Sequence, residues 1–300
     1  MALGHKDGRR PARRAFQPTL DGRLETRVLM SRMAEIRSQT AAGGQAVVIT
    51  DLSGQQFFAS VIGGGSIQAT PAPGGRVNLI VEGSTVNTLL EINQIIPMHS
   101  PTKGAHTFNP TLSNGTGILN VASITVGSGL INSIEGYRDT ILSGPIVIAG
   151  NKPVNRIALQ SIRPGGSISV GGELDTLDIL TNADFSMSSG LYVAQDLNWF
   201  EVGGNLTFEN GSNMVVGRDL GLQLQAAKGS GNAGQGLYVN GDFTIAPGSA
   251  VAVGRNIPFG VLINGNFSGY SNFTVGGQSL GNFFAARGGV NFLIMGTITP

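Results

Sequence analysis

The clearest pattern in the sequence is an apolar triplet, in which two outer apolar residues flank a middle residue, followed by a turn rich in Gly or Asn. Because successive residues of a β-strand point to opposite faces, such a triplet predicts a short strand with its outer residues buried. The pattern occurs seven times, at residues 124–126, 146–148, 168–170, 191–193, 214–216, 237–239 and 261–263.

The spacing of the triplets predicts a repeat architecture. Their last residues lie 22 to 24 positions apart, and a second apolar residue follows four positions later in each case except at Lys152. Strand, turn and second inward residue together suit one coil of a parallel β-helix. We therefore predict an all-β fold, a right-handed parallel β-helix (solenoid) with about 22–24 residues per coil. Three earlier apolar runs, 46–49, 59–61 and 79–81, are interpreted as further coils.

The chain is predicted to have two parts, a basic leader at 1–40 and a β-helix domain at 41–300. The leader carries nine Lys or Arg against four Asp or Glu, and the rest of the chain ten against fourteen. A short amphipathic helix is expected from Asp21, with Leu24, Val28 and Ile36 on its apolar side. The sparse basic residues of the second part argue against nucleic-acid binding.

Two absences restrict the function further. The sequence contains no Cys, which excludes disulfides, thiolate metal sites and thiol nucleophiles. No apolar run is long enough to predict a membrane-spanning helix.

The leader contains a segment with a recognisable pattern. Its residues are Phe16-Gln17-Pro18-Thr19-Leu20, followed by Leu24-Glu25-Thr26-Arg27-Val28-Leu29-Met30-Ser31. This segment resembles the N-terminal L-E-x-R-x-L-L-S segment of planctomycete extracellular proteins, with Met30 in place of the second Leu. Members of that family are typically large, repetitive and exported, and the repeats that follow here resemble secreted right-handed parallel β-helix proteins. The resemblance implies an extracellular or cell-surface location.

A row of polar residues immediately precedes the second apolar position and is predicted to stack from coil to coil. Its four carboxylates are Glu173, Asp196, Asp219 and Asp242. At the strand spacing of about 4.8 Å, neighbouring charges would repel by about 0.9 kcal/mol in water. Two arrangements could offset this repulsion: hydrogen bonds to the turn backbone with help from Arg218 and Arg255, or a Ca²⁺ ion bridging neighbouring coils. A third interpretation of the row is a catalytic pair of acids that cleaves a polysaccharide. No other cofactor is expected.

The middle residues of the triplets are predicted to face outward. Five of the seven are apolar or aromatic, namely Val147, Tyr192, Val215, Tyr238 and Leu262. An outward apolar stripe implies either a covering segment or a partner. Regular stacking would place Tyr192 and Tyr238 two coils, or roughly 10 Å, apart, a spacing suited to stacking on sugars.

Two segments, 97–104 and 226–234, interrupt the repeat and are predicted to be loops. The second contains Gly229, Gly231 and Gly234 in G-x-G-x-x-G spacing, but a strand follows instead of the helix that a dinucleotide site needs. His99 and His106 lie in or near the first, and no carboxylate at a recognisable spacing completes a metal site with them.

Together these features predict a secreted or cell-surface structural and adhesive protein without intrinsic catalysis. The alternative is a glycoside hydrolase, a polysaccharide lyase or a glycan-binding module on the same scaffold. Expected partners are cell-surface or matrix components, including polysaccharide. Head-to-tail association with other copies is also expected, because the ends of a β-helix present strand edges that can pair.

Overall fold

The computed structural model describes residues 35–41, 44–95, 117–221, 236–258, 260–269, 273–277 and 283–285. Every regular element in these ranges is a β-strand. Most of the predicted leader helix lies outside the described residues, but Ile36, which was assigned to its apolar side, lies in a β-strand, where it pairs with Ile49.

The first six strands form an antiparallel region. Strand β1 pairs with β2, β2 with β3, β3 with β6, and β4 with β5, all antiparallel. The strands are β1 (Glu35–Ala41), β2 (Gly44–Thr50), β3 (Gln56–Ile62), β4 (Ser66–Ala72), β5 (Arg76–Glu82) and β6 (Leu89–Ile95).

The strands that follow stack in parallel and form three columns. Three long strands turn a corner and contribute to two columns each: β7 (Leu119–Val126), β8 (Ser133–Leu142) and β10 (Val154–Ile162). The first column starts at β5 and β7 and continues through β9 (Pro145–Ile148), β11 (Ser167–Val170), β14 (Gly190–Val193), β17 (Asn213–Val216), β20 (Ala250–Val253) and β23 (Phe273–Val275).

The second and third columns are built in the same way. The second starts at β6, β8 and β10 and continues through β12 (Leu174–Ile179), β15 (Leu197–Val202), β18 (Leu237–Val239), β21 (Val261–Ile263) and β24 (Phe283–Ala285). The third joins the ends of β7, β8 and β10 to β13 (Ala183–Phe185), β16 (Leu206–Phe208), β19 (Phe243–Ile245) and β22 (Phe267–Ser268).

This arrangement confirms the predicted fold class. The chain forms an all-β parallel solenoid of about six turns. The first five triplets lie in the first column in the predicted register, because Ile124 pairs with Ile146, and the series continues through Ile168, Leu191 and Met214. The earlier run 79–81 also joins this column, since Leu79 pairs with Ile124.

The predicted register is wrong for the last two triplets. Strand β17 pairs with β20 and not with 237–239, which instead stacks on Phe200–Val202 in the second column and carries 261–263 above it. The step between equivalent positions is 23 residues from Asp196 to Asp219 but 37 from Asp219 to Asn256. Extra residues in this one coil therefore move the triplet from the first column to the second while leaving the apparent spacing unchanged.

Two of the early apolar runs are also corrected by the structure. Residues 46–49 lie in β2 and 59–61 in β3, and these strands are antiparallel instead of stacked coils. The connection between them is a tight turn in which Asp51 Oδ1 accepts hydrogen bonds from the backbone N–H groups of Ser53 and Gln55. A turn this short can join only antiparallel strands, because parallel strands need a long crossover.

The core is a continuous apolar interior formed by the inward-facing side chains, which alternate with outward-facing ones along each strand. In the third column, Phe185 stacks on Phe208 with ring centroids 5.0 Å apart, and Phe243 lies 5.1 Å from Phe267. Phe208 and Phe243 meet edge to face at 6.3 Å. These side chains are almost fully buried. Strands β13, β16, β19 and β22 therefore each contribute one ring to an aromatic ladder, in which Phe208 and Phe243 stand at different register positions.

The corner that follows the first column explains part of the high Gly content. In that column each strand from 124–126 onward is followed by Gly or Ala. The backbone N–H of this residue donates to the coil before it at Gly127, Gly171, Ala194, Gly217, Gly254 and Gly276, and the bond from Gly217 to Val193 is 2.8 Å long. A Cβ at Gly217 would collide with the Ala194 carbonyl oxygen. Larger side chains are therefore excluded from this corner by the close approach of neighbouring coils.

The aromatic ladder provides a direct test of the register. We expect Phe208→Ala to lower the free energy of unfolding by about 3–5 kcal/mol, because it leaves a cavity between Phe185 and Phe243. The control is Thr207→Ala, which removes an outward side chain from the same strand and should cost much less. Urea denaturation of both variants would contradict the register if the two losses were equal.

Candidate functional site

The predicted row of carboxylates divides into two separate hydrogen-bonded ladders. In the first, Asp196 Oδ1 accepts the backbone N–H of Asp219, and Asp219 Oδ1 accepts that of Asn256, both at 2.9 Å. Asp242 was predicted to lie above Asp219, but the longer coil between them shifts Asp242 to another corner. There it belongs to a second ladder, in which Asn205 Oδ1 accepts from Asp242 N–H at 2.9 Å.

The second ladder runs over four coils. Asn182 Oδ1 accepts from Asn205 N–H at 2.8 Å, and Asp242 Oδ1 accepts from Asn266 N–H at 2.7 Å. In both ladders a short side chain therefore bonds the backbone of the next coil, where the sequence had suggested a bond within its own turn. We call these two series the inter-coil ladders.

Arginine neutralises the first ladder. Arg255 lies 2.6 Å from Asp219 Oδ2 and 3.4 Å from Asp196 Oδ1, and Arg218 lies 3.4 Å from Asp196 Oδ2. Both carboxylates are buried, and a buried charge without a partner is strongly unfavourable. These arginines are the pair that the sequence offered as local compensation.

Glu173 lies at the same corner but its side chain takes another partner. Its Oε1 accepts a hydrogen bond from Asn198 Nδ2 at 2.7 Å, and Asp175 Oδ1 accepts from the same amide at 3.0 Å. The structure thus brings Asp196 and Asp219 together, and places Glu173 and Asp242 with other groups. Binding of Ca²⁺ by the row stays a prediction.

The two tyrosines predicted to share a face lie on different columns. Tyr192 is in the first column, paired between Ser169 and Val215, and is 42% exposed. Tyr238 is in the second column, paired with Glu201, and is buried, with its hydroxyl accepting from Asn264 Nδ2 at 2.9 Å. They cannot stack together along one column.

The outward positions of the first column do form a continuous exposed strip. Register partners on five consecutive coils are all exposed, and Val147, Tyr192 and Val215 are 39%, 42% and 37% exposed. We call this strip the outer stripe, and it consists of Thr125, Val147, Ser169, Tyr192 and Val215. It combines one aromatic ring with aliphatic and hydroxyl groups on a parallel sheet.

A charged cluster on the second column was not predicted from the sequence. Arg156 lies 3.2 Å from Glu135 and 2.6 Å from Asp178, and its guanidinium stands 5.6 Å from the centre of the Tyr137 ring. Glu201 is the register partner of Asp178 on the next coil. We call this group the acidic cluster, and it is completed by Trp199, whose Nε1 donates to Glu201 Oε2 at 3.3 Å.

Burial changes the acid–base properties of this cluster. Desolvation raises the pKa of Glu135, Asp178 and Glu201 above the ordinary range, and Arg156 opposes the shift in each case. At Glu201 the neighbouring charge of Asp178 raises the pKa further, whereas the hydrogen bond from Trp199 lowers it. Carboxyl groups with raised pKa values are typical of functional sites, although structural ion-pair networks produce them too.

The sequence carries one signal for the acidic cluster. Glu135, Asp178 and Glu201 occupy equivalent outward positions of the second column, but Ala158 takes that position in the coil between Glu135 and Asp178. A search for acids repeating at the coil spacing would have found Asp178 and Glu201, which are 23 residues apart.

The inter-coil ladder gives a prediction for Asp196. We expect Asp196→Ala to cost about 1–3 kcal/mol more in free energy of unfolding than Asp196→Asn, because only Asn keeps an acceptor for the buried N–H of Asp219. The matched pair Asp242→Ala and Asp242→Asn should differ less, since the N–H of Asn266 lies at an exposed bond and can be solvated. Urea denaturation measures all four, and an equal difference at both sites would contradict the role of burial.

The acidic cluster gives a prediction about pH. Because the pKa of Glu201 is raised in the folded state, its ionisation destabilises the fold as the pH rises from the ordinary value of 4.5 through the raised one. We expect Glu201→Gln, which can still accept from Trp199, to increase stability at neutral pH and to lose that gain in acid below 4.5. Thermal unfolding across pH measures this. Glu209→Gln at an exposed turn is the control, and a pH-independent gain at Glu201 would contradict the explanation.

Three further predicted features, His99, His106 and the G-x-G-x-x-G segment, lie outside the described residues. Within the described ranges, no group of three or more His, Asp or Glu side chains is arranged to hold a metal, and no helix is long and apolar enough to cross a membrane. The chain matches no protein-family model, and searches of curated proteins and of solved structures return no match either.

Proposed function

We propose that this chain is a secreted or cell-surface structural and adhesive module whose outer stripe binds polysaccharide. The observation that supports this most directly is the register of the stripe, in which five consecutive coils expose an apolar, aromatic or hydroxyl side chain at the same position. An aromatic ring flanked by such groups can lie against the face of a sugar ring while hydroxyl groups bond its edges.

Rigidity of the scaffold favours this role. Each strand beneath the stripe is hydrogen-bonded to a strand on both sides, so the backbone that carries the stripe is already ordered before a ligand binds. The regular rise of about 4.8 Å between coils gives a repeating surface. A repeating surface suits a repeating ligand, because many weak contacts can form along one chain.

The chemistry of the stripe favours binding without cleavage. Thr125, Val147, Ser169, Tyr192 and Val215 include no carboxylate and no His. Breaking a glycosidic bond normally requires two carboxyl groups beside it. The stripe therefore supports retention of a polysaccharide and not its hydrolysis.

Co-sedimentation with insoluble polysaccharides tests this proposal. We expect the protein to be retained by at least one of cellulose, chitin or peptidoglycan, and Tyr192→Ala to weaken retention by about 2- to 10-fold through loss of ring contact. Tyr192→Phe keeps the ring and should retain most of the binding. Thr244→Ala, an outward change in the third column, is the control on another face.

The same experiment distinguishes binding at the outer stripe from binding elsewhere on the protein and from cleavage of the polysaccharide. Retention that is unchanged in Tyr192→Ala would place binding elsewhere, and the absence of retention on every polysaccharide would reject the adhesive role. Assay of the supernatants for new reducing ends would reveal catalysis.

The acidic cluster supports a second candidate, a polysaccharide-cleaving enzyme. Asp178 and Glu201 stand on neighbouring strands about 4.8 Å apart, and burial raises the pKa of Glu201, which is the direction that a general acid requires. If new reducing ends appear and Glu201→Gln abolishes them while the unfolding temperature is kept, this candidate replaces the first. Cleavage that survives in Glu201→Gln would exclude the cluster as its source.

A further inference from the structure

The corner that leads from the third column into the first contains four stacked β-turns. Each turn is closed by a backbone hydrogen bond of 2.8 to 3.2 Å from its fourth residue to its first. The central residues of the turns are Pro164-Gly165, Met187-Ser188, Asn210-Gly211 and Pro247-Gly248. Asn210 and Gly211 are exposed, with φ of 53° and 78°, which is the type I′ geometry that an Asn-Gly pair favours.

An Asn-Gly pair is chemically labile. The backbone nitrogen of the Gly can attack the side-chain Cγ of the Asn, because Gly has no Cβ to hinder the approach. The new bond joins this nitrogen to Cγ, the bond from Cγ to Nδ2 breaks, and ammonia leaves with the proton that the backbone nitrogen loses. Water then opens the resulting succinimide ring to an aspartyl or an isoaspartyl residue. Both the Gly nitrogen and the Asn amide must be free to move for this reaction.

Three Asn-Gly pairs lie in the described ranges, and Asn240-Gly241 is held by the coil before it. The N–H of Gly241 donates to Gly204 O at 2.8 Å. The Asn240 amide is also held, because its Nδ2 donates to Gly203 O at 3.1 Å and its Oδ1 accepts from the Tyr238 hydroxyl at 3.2 Å. Attack at this pair therefore requires the loss of bonds on both reacting groups.

The pair Asn264-Gly265 is held in the same way one coil later. The N–H of Gly265 donates to Gly241 O at 3.0 Å. Asn264 Nδ2 donates to the Tyr238 hydroxyl at 2.9 Å and to Asn240 Oδ1 at 3.1 Å. The stacking of the coils thus restrains both reacting groups here too.

The third pair, Asn210-Gly211, has no such restraint. Within the described ranges, neither the Asn210 side chain nor the Gly211 N–H has a hydrogen-bond partner. The bonds that reach the pair go to its backbone carbonyl oxygens, from Ser188 Oγ at 3.5 Å and from Asn213 Nδ2 at 3.2 Å. Neither of them holds the nitrogen that attacks or the side chain that is attacked.

We propose that Asn210 is a deamidation site of the folded protein, and that hydrogen bonds between coils protect Asn240 and Asn264. The exposed turn at Asn210 can open locally, whereas opening at the other two pairs breaks the stacking of neighbouring coils. Conversion adds a negative charge beside Glu209, and the isoaspartyl product also lengthens the main chain of the turn. The proposal is independent of polysaccharide binding, because the reaction needs only this chain and water.

Peptide mapping by mass spectrometry of the full chain tests the proposal. The folded protein is incubated at mildly alkaline pH in water labelled with heavy oxygen and is digested afterwards in ordinary water, so only residues deamidated during the incubation carry the label. We expect Asn210 to be converted at least about tenfold faster than Asn240 or Asn264, because each protecting bond adds to the cost of opening. Incubation in guanidinium chloride is the control, in which the three pairs should react at similar rates.

Three results would overturn the proposal. The first is an equal rate at all three pairs in the folded protein, and the second is faster labelling of Asn240 or Asn264 than of Asn210. The third is label that persists in the same peptide of Asn210→Gly, a variant that keeps the turn because Gly also adopts positive φ. Loss of that label in Asn210→Gly, with the unfolding temperature kept, would support the assignment to Asn210.

Discussion

Each coil is hydrogen-bonded in register to the coil before it, and this parallel pairing determines where every side chain lies. Inward side chains stack on apolar side chains of the next coil, as Phe185 stacks on Phe208. At the corners, the short side chains of the inter-coil ladders bond the backbone of the next coil, as Asp196 bonds Asp219. Outward residues are aligned by the same rule, which produces both the outer stripe and the acidic cluster. A function on any face therefore depends on the register beneath it.

The fold could be predicted from the sequence because the register leaves a periodic pattern in the apolar residues. The pattern fails where two apolar triplets are separated by the regular interval in the sequence but lie in different columns of the solenoid. Residues 237–239 follow 214–216 at the expected interval, yet they occupy another column, because apolar triplets in different columns look alike. The antiparallel strands at the start were also missed, although Pro73-Gly74-Gly75 between β4 and β5 is a turn signal, with positive φ at both glycines.

The candidate sites were less predictable than the fold because they depend on contacts between particular side chains, which the regular length of one coil does not specify. Arg255 reaches both Asp196 and Asp219 across two coils, and the sequence indicated only that an arginine lies near each acid. Arg156 joins Glu135 and Asp178 from the strand between them. Gln160 of β10 and Asp184 of β13 likewise line one surface pocket, although the sequence gives no sign that they are neighbours.

The inter-coil hydrogen bonds of the first ladder form across coils of different length, as the long coil between Asp219 and Asn256 shows. Fourteen residues more than in the preceding step separate these positions, and yet Asn256 still donates to Asp219 as Asp219 donates to Asp196. Coils of unequal length can therefore share one column, and the backbone hydrogen bond that Asp219 accepts restores the same alignment above the longer one. In such a solenoid the distance along the chain and the height along the column need not increase together.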